Sequence, residues 1–210
     1  MKNDCRVWGQ EMIDGFIGGQ IPYLGRLEIE QRVNELMEEC WDGDFPVDVE
    51  KVADYLGIAI VPVEGLMDKI GVDAFISADF RMIYVDGAEY RLGGNRYRFS
   101  VAHELGHYVL HREYFSSRVE SFVEWAGLVD DNCYGYVEFQ ANYFAGCLLA
   151  PEDEMVRMLD AEYEGSFVRN YYKMGRGRYM KVLAEMRRWF MVSEQVVTRR
   201  MRDTVYGLVS

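Results

Sequence analysis

The sequence predicts an α+β fold: a small mixed or antiparallel sheet packed on helices, followed by a C-terminal helical subdomain. Three features point there. Short runs rich in β-branched and aromatic residues, Ile58–Val63, Ala74–Ser77 and Met82–Val85, cluster in the first half of the chain. Apolar residues recur at helical spacing on either side of them. Beyond residue 156 the pattern is helical again, broken by Gly175 and Gly177.

In chain order, residues 1–25 are Gly-rich, weakly patterned and assigned to an N-terminal tail. Leu27, Ile29, Val33, Leu36, Met37 and Cys40 mark one face of a helix. After the Asp42-Gly43-Asp44 turn and Pro46, a second helix covers Asp48–Leu56 and Gly57 ends it. Strand Ile58–Val63 follows, then two strands joined tightly through Ala78-Asp79 and closed by Asp86-Gly87. A Gly93-Gly94-Asn95 loop leads into a helix for which Ser100 is the expected N-cap, with His103 in its third position. A long helix is expected over Tyr136–Leu149, stopped by Pro151. Short helices fall within Glu152–Asp160 and Ser166–Lys173. Tyr179–Phe190, a Met191-Val192 turn and a helix from the N-cap Ser193 to about Thr204 then form a helix–turn–helix-like pair. The expected division is a tail at 1–25, a main domain at 26–155 and a C-terminal helical subdomain at 156–210.

Composition excludes several classes. Half of the 210 residues are apolar, which fits a packed core and not disorder. Cys5, Cys40, Cys133 and Cys147 form no CxxC pair, so a cysteine zinc site is not expected and reduced thiols are. There is no apolar run of about 18 residues, so no membrane span is expected. The N-terminus has no uninterrupted hydrophobic segment of a secretory signal, and the expected location is the cytoplasm. The net charge of −12 opposes broad attraction to nucleic acid. It is unevenly spread: from residue 161 onward ten Lys and Arg stand against five Asp and Glu, leaving −17 on residues 1–160.

The chemistry concentrates in residues 98–111, which hold all three histidines. On a helix, His103 and His107 lie one turn apart, about 6 Å in rise, on one face. Two ring nitrogens can then converge on one zinc ion, with Glu104 beside them to take a proton from water: the HExxH arrangement of zinc hydrolases. Zinc in a hydrolase takes three protein donors and keeps one position open. His111 is a poor third donor, because about 12 Å of helix rise separates it from His103, and it reads as a supporting or packing residue. The better candidate is Glu138, 31 residues after His107 and heading a segment in which Ala141 and Ala145 permit close helix packing. Glu120, Glu124, Asp130 and Asp131 are its competitors. Asn142 shares the Glu138 face and can hydrogen-bond the outer nitrogen of a ligand histidine. With two His and one Glu donor, zinc lowers the pKa of water and polarises a carbonyl, and Glu104 is placed to act as general base and then proton donor.

These residues resemble a known family, the ImmA/IrrE zinc metallopeptidases, gluzincin-like in their site. The resemblance rests on Arg98-Phe99, Ala102-His103-Glu104-Leu105-Gly106-His107-Tyr108 and Leu110-His111. It continues in Glu138, Ala141-Asn142, Phe144-Ala145 and Leu148-Leu149-Ala150-Pro151, and covers roughly residues 30–205. It implies a zincin-like two-helix site with Zn2+ held by His103, His107 and Glu138, and Glu104 as catalytic acid/base. It also implies a protein of bacterial or phage type. The substrate class it implies is helix-turn-helix transcriptional repressors, cut to release stress-response or mobile-element genes. The competing class is a non-proteolytic zinc-bearing module that binds or senses a transcription factor.

Three further groups of residues carry expectations. Met82–Val85 reads equally as an exposed edge strand able to hold an extended substrate by main-chain pairing or as a buried core strand with no substrate contact. Tyr108, Tyr134, Tyr136 and Tyr143 are candidate oxyanion donors, though packing is the commoner role. The C-terminal arginines Arg187, Arg188, Arg199, Arg200 and Arg202 fit a DNA-binding helix–turn–helix, a helical cap with snorkelling side chains, or a basic face that docks the protein substrate or a regulator; overall acidity favours the cap over DNA binding.

Overall fold

The computed structural model describes residues 23–115, 131–162 and 175–209. Helix α1 (Arg26–Cys40) turns Ile29, Val33, Leu36 and Met37 inward, the i, i+4, i+7, i+8 stripe of an amphipathic helix. Asp48 caps α2 (Val49–Tyr55), its carboxylate accepting from the N–H groups of Glu50 and Lys51. Strand β1 (Ala59–Val63) follows, then a one-turn helix α3 (Leu66–Ile70) that sequence pattern does not reveal. Strands β2 (Ala74–Ile76) and β3 (Met82–Asp86) lead into the short α4 (Gly87–Leu92). The long helices α5 (Asn95–Phe115) and α6 (Asp131–Leu149) come next. Helices α7 (Glu152–Glu162), α8 (Arg176–Phe190) and α9 (Glu194–Val209) complete the described chain. The expected helix at Ser166–Lys173 lies outside the described residues. No helix among the described residues is long and apolar enough to cross a membrane.

The sheet is mixed, three-stranded and ordered β1-β3-β2. β1 runs parallel to β3, with Ile60 opposite Ile83; β2 runs antiparallel, with Phe75 opposite Tyr84. This decides between the two readings of Met82–Val85 in favour of a core strand. That strand is central, paired on both sides, with Ile83 and Val85 fully buried. The edge strand is β2. Adjacent strands in sequence suggested a bare hairpin, but a crossover brings β1 onto the other side of β3.

Ser100 is a correction. It lies inside α5 rather than at its N-cap, because the helix starts at Asn95 and the Arg98 N–H already reaches the Gly94 carbonyl. The extra turn buries Tyr97 and Arg98, so packing overrides a good capping residue. Ser193 does act as expected: its hydroxyl accepts from the Val196 N–H at the start of α9.

One core runs from Leu24 in the N-terminal part to Met201 in α9 and includes both faces of the α5–α6 crossing. The C-terminal pair is tied into it by polar contacts. Arg98 of α5 donates to the Phe190 carbonyl at the end of α8. Arg200 of α9 donates to the Ala150 carbonyl and to Glu30 of α1.

Candidate metal centre

The centre is made where α5 and α6 cross. Gly106 lets them approach: a Cβ there would stand 3.1 Å from the Ala141 Cα and 3.1 Å from Phe144 Cδ1. Ala141 and Ala145 are fully buried at the same crossing. Small residues on both helices bring Glu138, one turn before Ala141, up to the His103–His107 face.

The result is a convergence of three donors. Nε2 of His103 and Nε2 of His107 are 3.1 Å apart. Glu138 brings Oε2 to 3.1 Å from His103 Nε2 and Oε1 to 3.3 Å from His107 Nε2. Among the described residues this is the one group of three or more His, Cys, Asp or Glu whose donor atoms lie within 4.8 Å of one another. Asp131 opens α6 about 10 Å of helix rise from Glu138, and Glu120, Glu124 and Asp130 lie outside the described residues.

The surroundings prepare the donors. Asn142 Oδ1 lies 3.2 Å from His103 Nδ1, an arrangement in which Nδ1 donates and Nε2 is left to face Glu138 and a metal ion. Behind His107, its Nδ1 lies 3.1 Å from His111 Nδ1, and His111 Nε2 lies 3.0 Å from Gln140 Oε1. His111 thus stands behind His107, outside the group of three converging donor atoms. Gln140 was not singled out by the sequence; the clue lay in His111, since a buried imidazole needs a partner on each nitrogen.

The electrostatics agree with a cation site. Burial pulls the His103 pKa down, but the Glu138 hydrogen bond and the Glu104 charge outweigh it, leaving the ring above its usual value. Burial works upward on Glu138, yet hydrogen bonds from His103 and His107 hold its carboxyl well below the ordinary range. Burial and then the neighbouring His107 push His111 down to about 3, which keeps it neutral. Two imidazole Nε2 atoms and a carboxylate, brought within 3.3 Å of one another, are a donor set that fits Zn2+.

Glu104 is 7% exposed, and its Oε2 accepts the Ile76 N–H at 2.9 Å. Alternation explains why that N–H is available. The Asp73 carbonyl and the Ser77 N–H pair with β3, so Ile76 points its N–H away from β3 toward α5.

Other predicted residues fall elsewhere. The Tyr108 hydroxyl donates to the Leu56 carbonyl. The Tyr143 hydroxyl donates to Glu30, and burial, Cys147 and Glu30 together raise its pKa. Tyr136 stacks on Tyr23, and the Tyr134 side chain lies outside the described residues. Of the C-terminal arginines, Arg200 is buried against Glu30 and Arg187 pairs with Glu194. Arg188 Nε donates to the Ala184 carbonyl of its own helix.

A two-helix His-His-Glu centre with an acid beside it, set against a small mixed sheet, defines the HExxH metallopeptidase class. The Peptidase_M78 family model, described as the IrrE N-terminal-like domain, matches residues 53–202. The chain belongs to this zinc metallopeptidase family. Among solved structures, a Mycobacterium tuberculosis transcriptional regulator has a similar fold, with a TM-score of 0.52 at 19% identity. The match covers 82% of this chain and 55% of that one, so this chain spans about half of that protein's length. The comparison with curated proteins gives no match.

Proposed function

We propose that the chain is a zinc-dependent endopeptidase of the cytoplasm that cuts a protein substrate, a helix-turn-helix transcriptional repressor being the class its family resemblance implies. The observation that carries this reading is the convergence of His103, His107 and Glu138 beside a buried Glu104. Zinc held by these three donors supplies a Lewis acid for the scissile carbonyl and an acidified water. Glu104 does the proton work. One oxygen is fixed by Ile76, and the other is left to take a proton from water and return it to the departing amine. The position of β2 gives the substrate a track. An extended chain laid along its outer edge arrives beside Glu104, because Ile76 on that edge already touches the carboxylate. The buried Arg200 is engaged by Glu30 and the Ala150 carbonyl, which supports the C-terminal pair as a cap rather than a DNA reader.

The test is Glu104→Gln with the zinc content measured in both proteins. Wild-type protein incubated with a candidate repressor gives fragments; the variant keeps one zinc and gives none, a fall of about 10²–10⁴-fold for a lost general base. Fragments from both at one rate would refute the role of Glu104. A zinc-bearing wild type that binds the repressor without cutting it would replace the peptidase by a binding module.

A further inference from the structure

Behind the donor face of His107 lies a hydrogen-bonded chain that the reaction itself does not require. His107 Nδ1 meets His111 Nδ1 at 3.1 Å, and His111 Nε2 meets Gln140 Oε1 at 3.0 Å. His111 and Gln140 are fully buried, and among the described residues the Gln140 amide nitrogen has no partner. A buried amide that leaves its two donor hydrogens unused while offering its oxygen to a histidine is unusual enough to need a reason.

Counting hydrogens supplies one. A neutral imidazole has one N–H and one lone pair, so neighbouring rings constrain each other. If the Gln140 carbonyl faces His111, His111 must donate through Nε2 and accept at Nδ1. His107 must then donate through Nδ1, and its Nε2 is left as a lone pair facing His103 and Glu138. If the amide is turned over, every bond reverses. Gln140 donates to His111 Nε2, His111 Nδ1 donates to His107, and a hydrogen ends on His107 Nε2, where a metal ion would sit. The chain therefore has two consistent states, and the orientation of one amide two residues beyond Glu138 selects between them.

We propose that Gln140 is a positioning residue: its side-chain carbonyl, acting through His111, fixes His107 in the tautomer that offers Nε2 to a metal ion. This rests on the reading of His103, His107 and Glu138 as metal donors, and it assigns the two ligand histidines different anchors. His103 is set directly by Asn142; His107 is set at one remove, through a second histidine.

The experiment compares zinc affinity, by chelator competition on the full chain, in wild type, Gln140→Met and Gln140→Glu. Met fills similar space and offers no carbonyl, whereas Glu keeps an acceptor oxygen. Gln140→Met is expected to bind zinc about 10–100-fold more weakly, and Gln140→Glu at least as tightly as wild type. Imidazole nitrogen NMR of the zinc-loaded wild type is expected to show the hydrogen of His111 on Nε2. The inference is overturned if Gln140→Met binds as wild type does, if Gln140→Glu binds as weakly as Gln140→Met, or if His111 carries its hydrogen on Nδ1. Should Gln140→Met not fold, the NMR assignment and the Gln140→Glu affinity decide alone. None of these readouts involves cleavage. A protein that passes them yet cuts nothing leaves the relay standing and sinks the peptidase reading, and a wild type that binds no zinc sinks both.

Discussion

Among the described residues, two buried polar clusters that involve α6 are built on opposite plans. At the α5–α6 crossing, His103, His107 and Glu138 crowd their metal-ligating atoms against one another. At the junction of α1, α6 and α9, charged donors meet acceptors. Arg200 donates to Glu30 and to the Ala150 carbonyl, Tyr143 donates to the same Glu30, and Arg26 pairs with Asp203 close by. Like groups facing each other in a low-dielectric interior repel unless a cation or proton joins them. The first cluster is a converging set of ligand-type atoms, and the second is a clamp of matched pairs. A buried polar network reads as structural when donors match acceptors and as functional when they do not.

That contrast breaks first at Glu138. Glu138→Ala is expected to lose zinc by more than the roughly 10–100-fold anticipated for His111→Ala, which removes only a supporting contact. Competition with a chromogenic chelator measures both, and the reverse order would mean that the third donor is misassigned.

The clamp should respond in stability instead. Arg200→Ala is expected to lower unfolding free energy by about 3 kcal/mol, the low end for a broken buried pair, because Glu30 keeps 23% of its side-chain exposure. Zinc stoichiometry should stay unchanged. Urea denaturation of the zinc-loaded protein reads the first and metal analysis the second. Loss of zinc with intact fold would join the two clusters into one and erase the distinction.

The sequence made the two plans unequally visible. HExxH announces itself because both histidines and Glu104 lie within five consecutive residues, where helix periodicity alone places them. Glu138 could be chosen from outside that span because Ala141 and Ala145 signal a close helix crossing. Gly106 and Gln140 were hidden, since their roles depend on the partner helix. A glycine within a motif gives no sign that a Cβ would meet Ala141. The strands were located to within about two residues by their β-branched content, yet the parallel pairing of β1 with β3 was not, because crossover pairing is a long-range choice. The clamp was the least visible of all: Arg200 and Glu30 are 170 positions apart, and in sequence Arg200 is one arginine among five.

Gly106→Ala sharpens the comparison from the packing side. The added methyl must push Ala141 or Phe144 away by a few tenths of an ångström, an overpacking cost of about 1–3 kcal/mol. Because the strain falls between α5 and α6, it should weaken zinc binding as well as stability. A variant that loses stability with zinc affinity untouched would show that the centre tolerates a wider crossing.

The smallest effect is the response of the metal-free centre to pH. Without an ion, the repulsion at His103 and Glu138 is relieved by one shared proton, which is why His103 titrates above its usual value and Glu138 below. A raised imidazole contributes stability that is complete below the unfolded pKa of about 6.5 and is lost as pH climbs through the folded value. A depressed carboxyl contributes stability present above about 4.3 and lost as pH falls through its folded value. The chelated chain therefore gains most from this pair between roughly pH 4.3 and 6.5, and a tenfold change in proton affinity on folding is worth only about 1.4 kcal/mol. Under the proposed ligation zinc displaces the proton on His103, so its affinity is expected to rise over the pH range in which the metal-free pair loses its advantage. Glu138→Gln removes the charge that holds the proton and should flatten the pH dependence of the chelated protein's urea midpoint. The Arg200 clamp has no such proton to give up, so Arg200→Ala should lower that curve without changing its shape; a change of shape there, or an unchanged slope in Glu138→Gln, would place the titrating pair somewhere else.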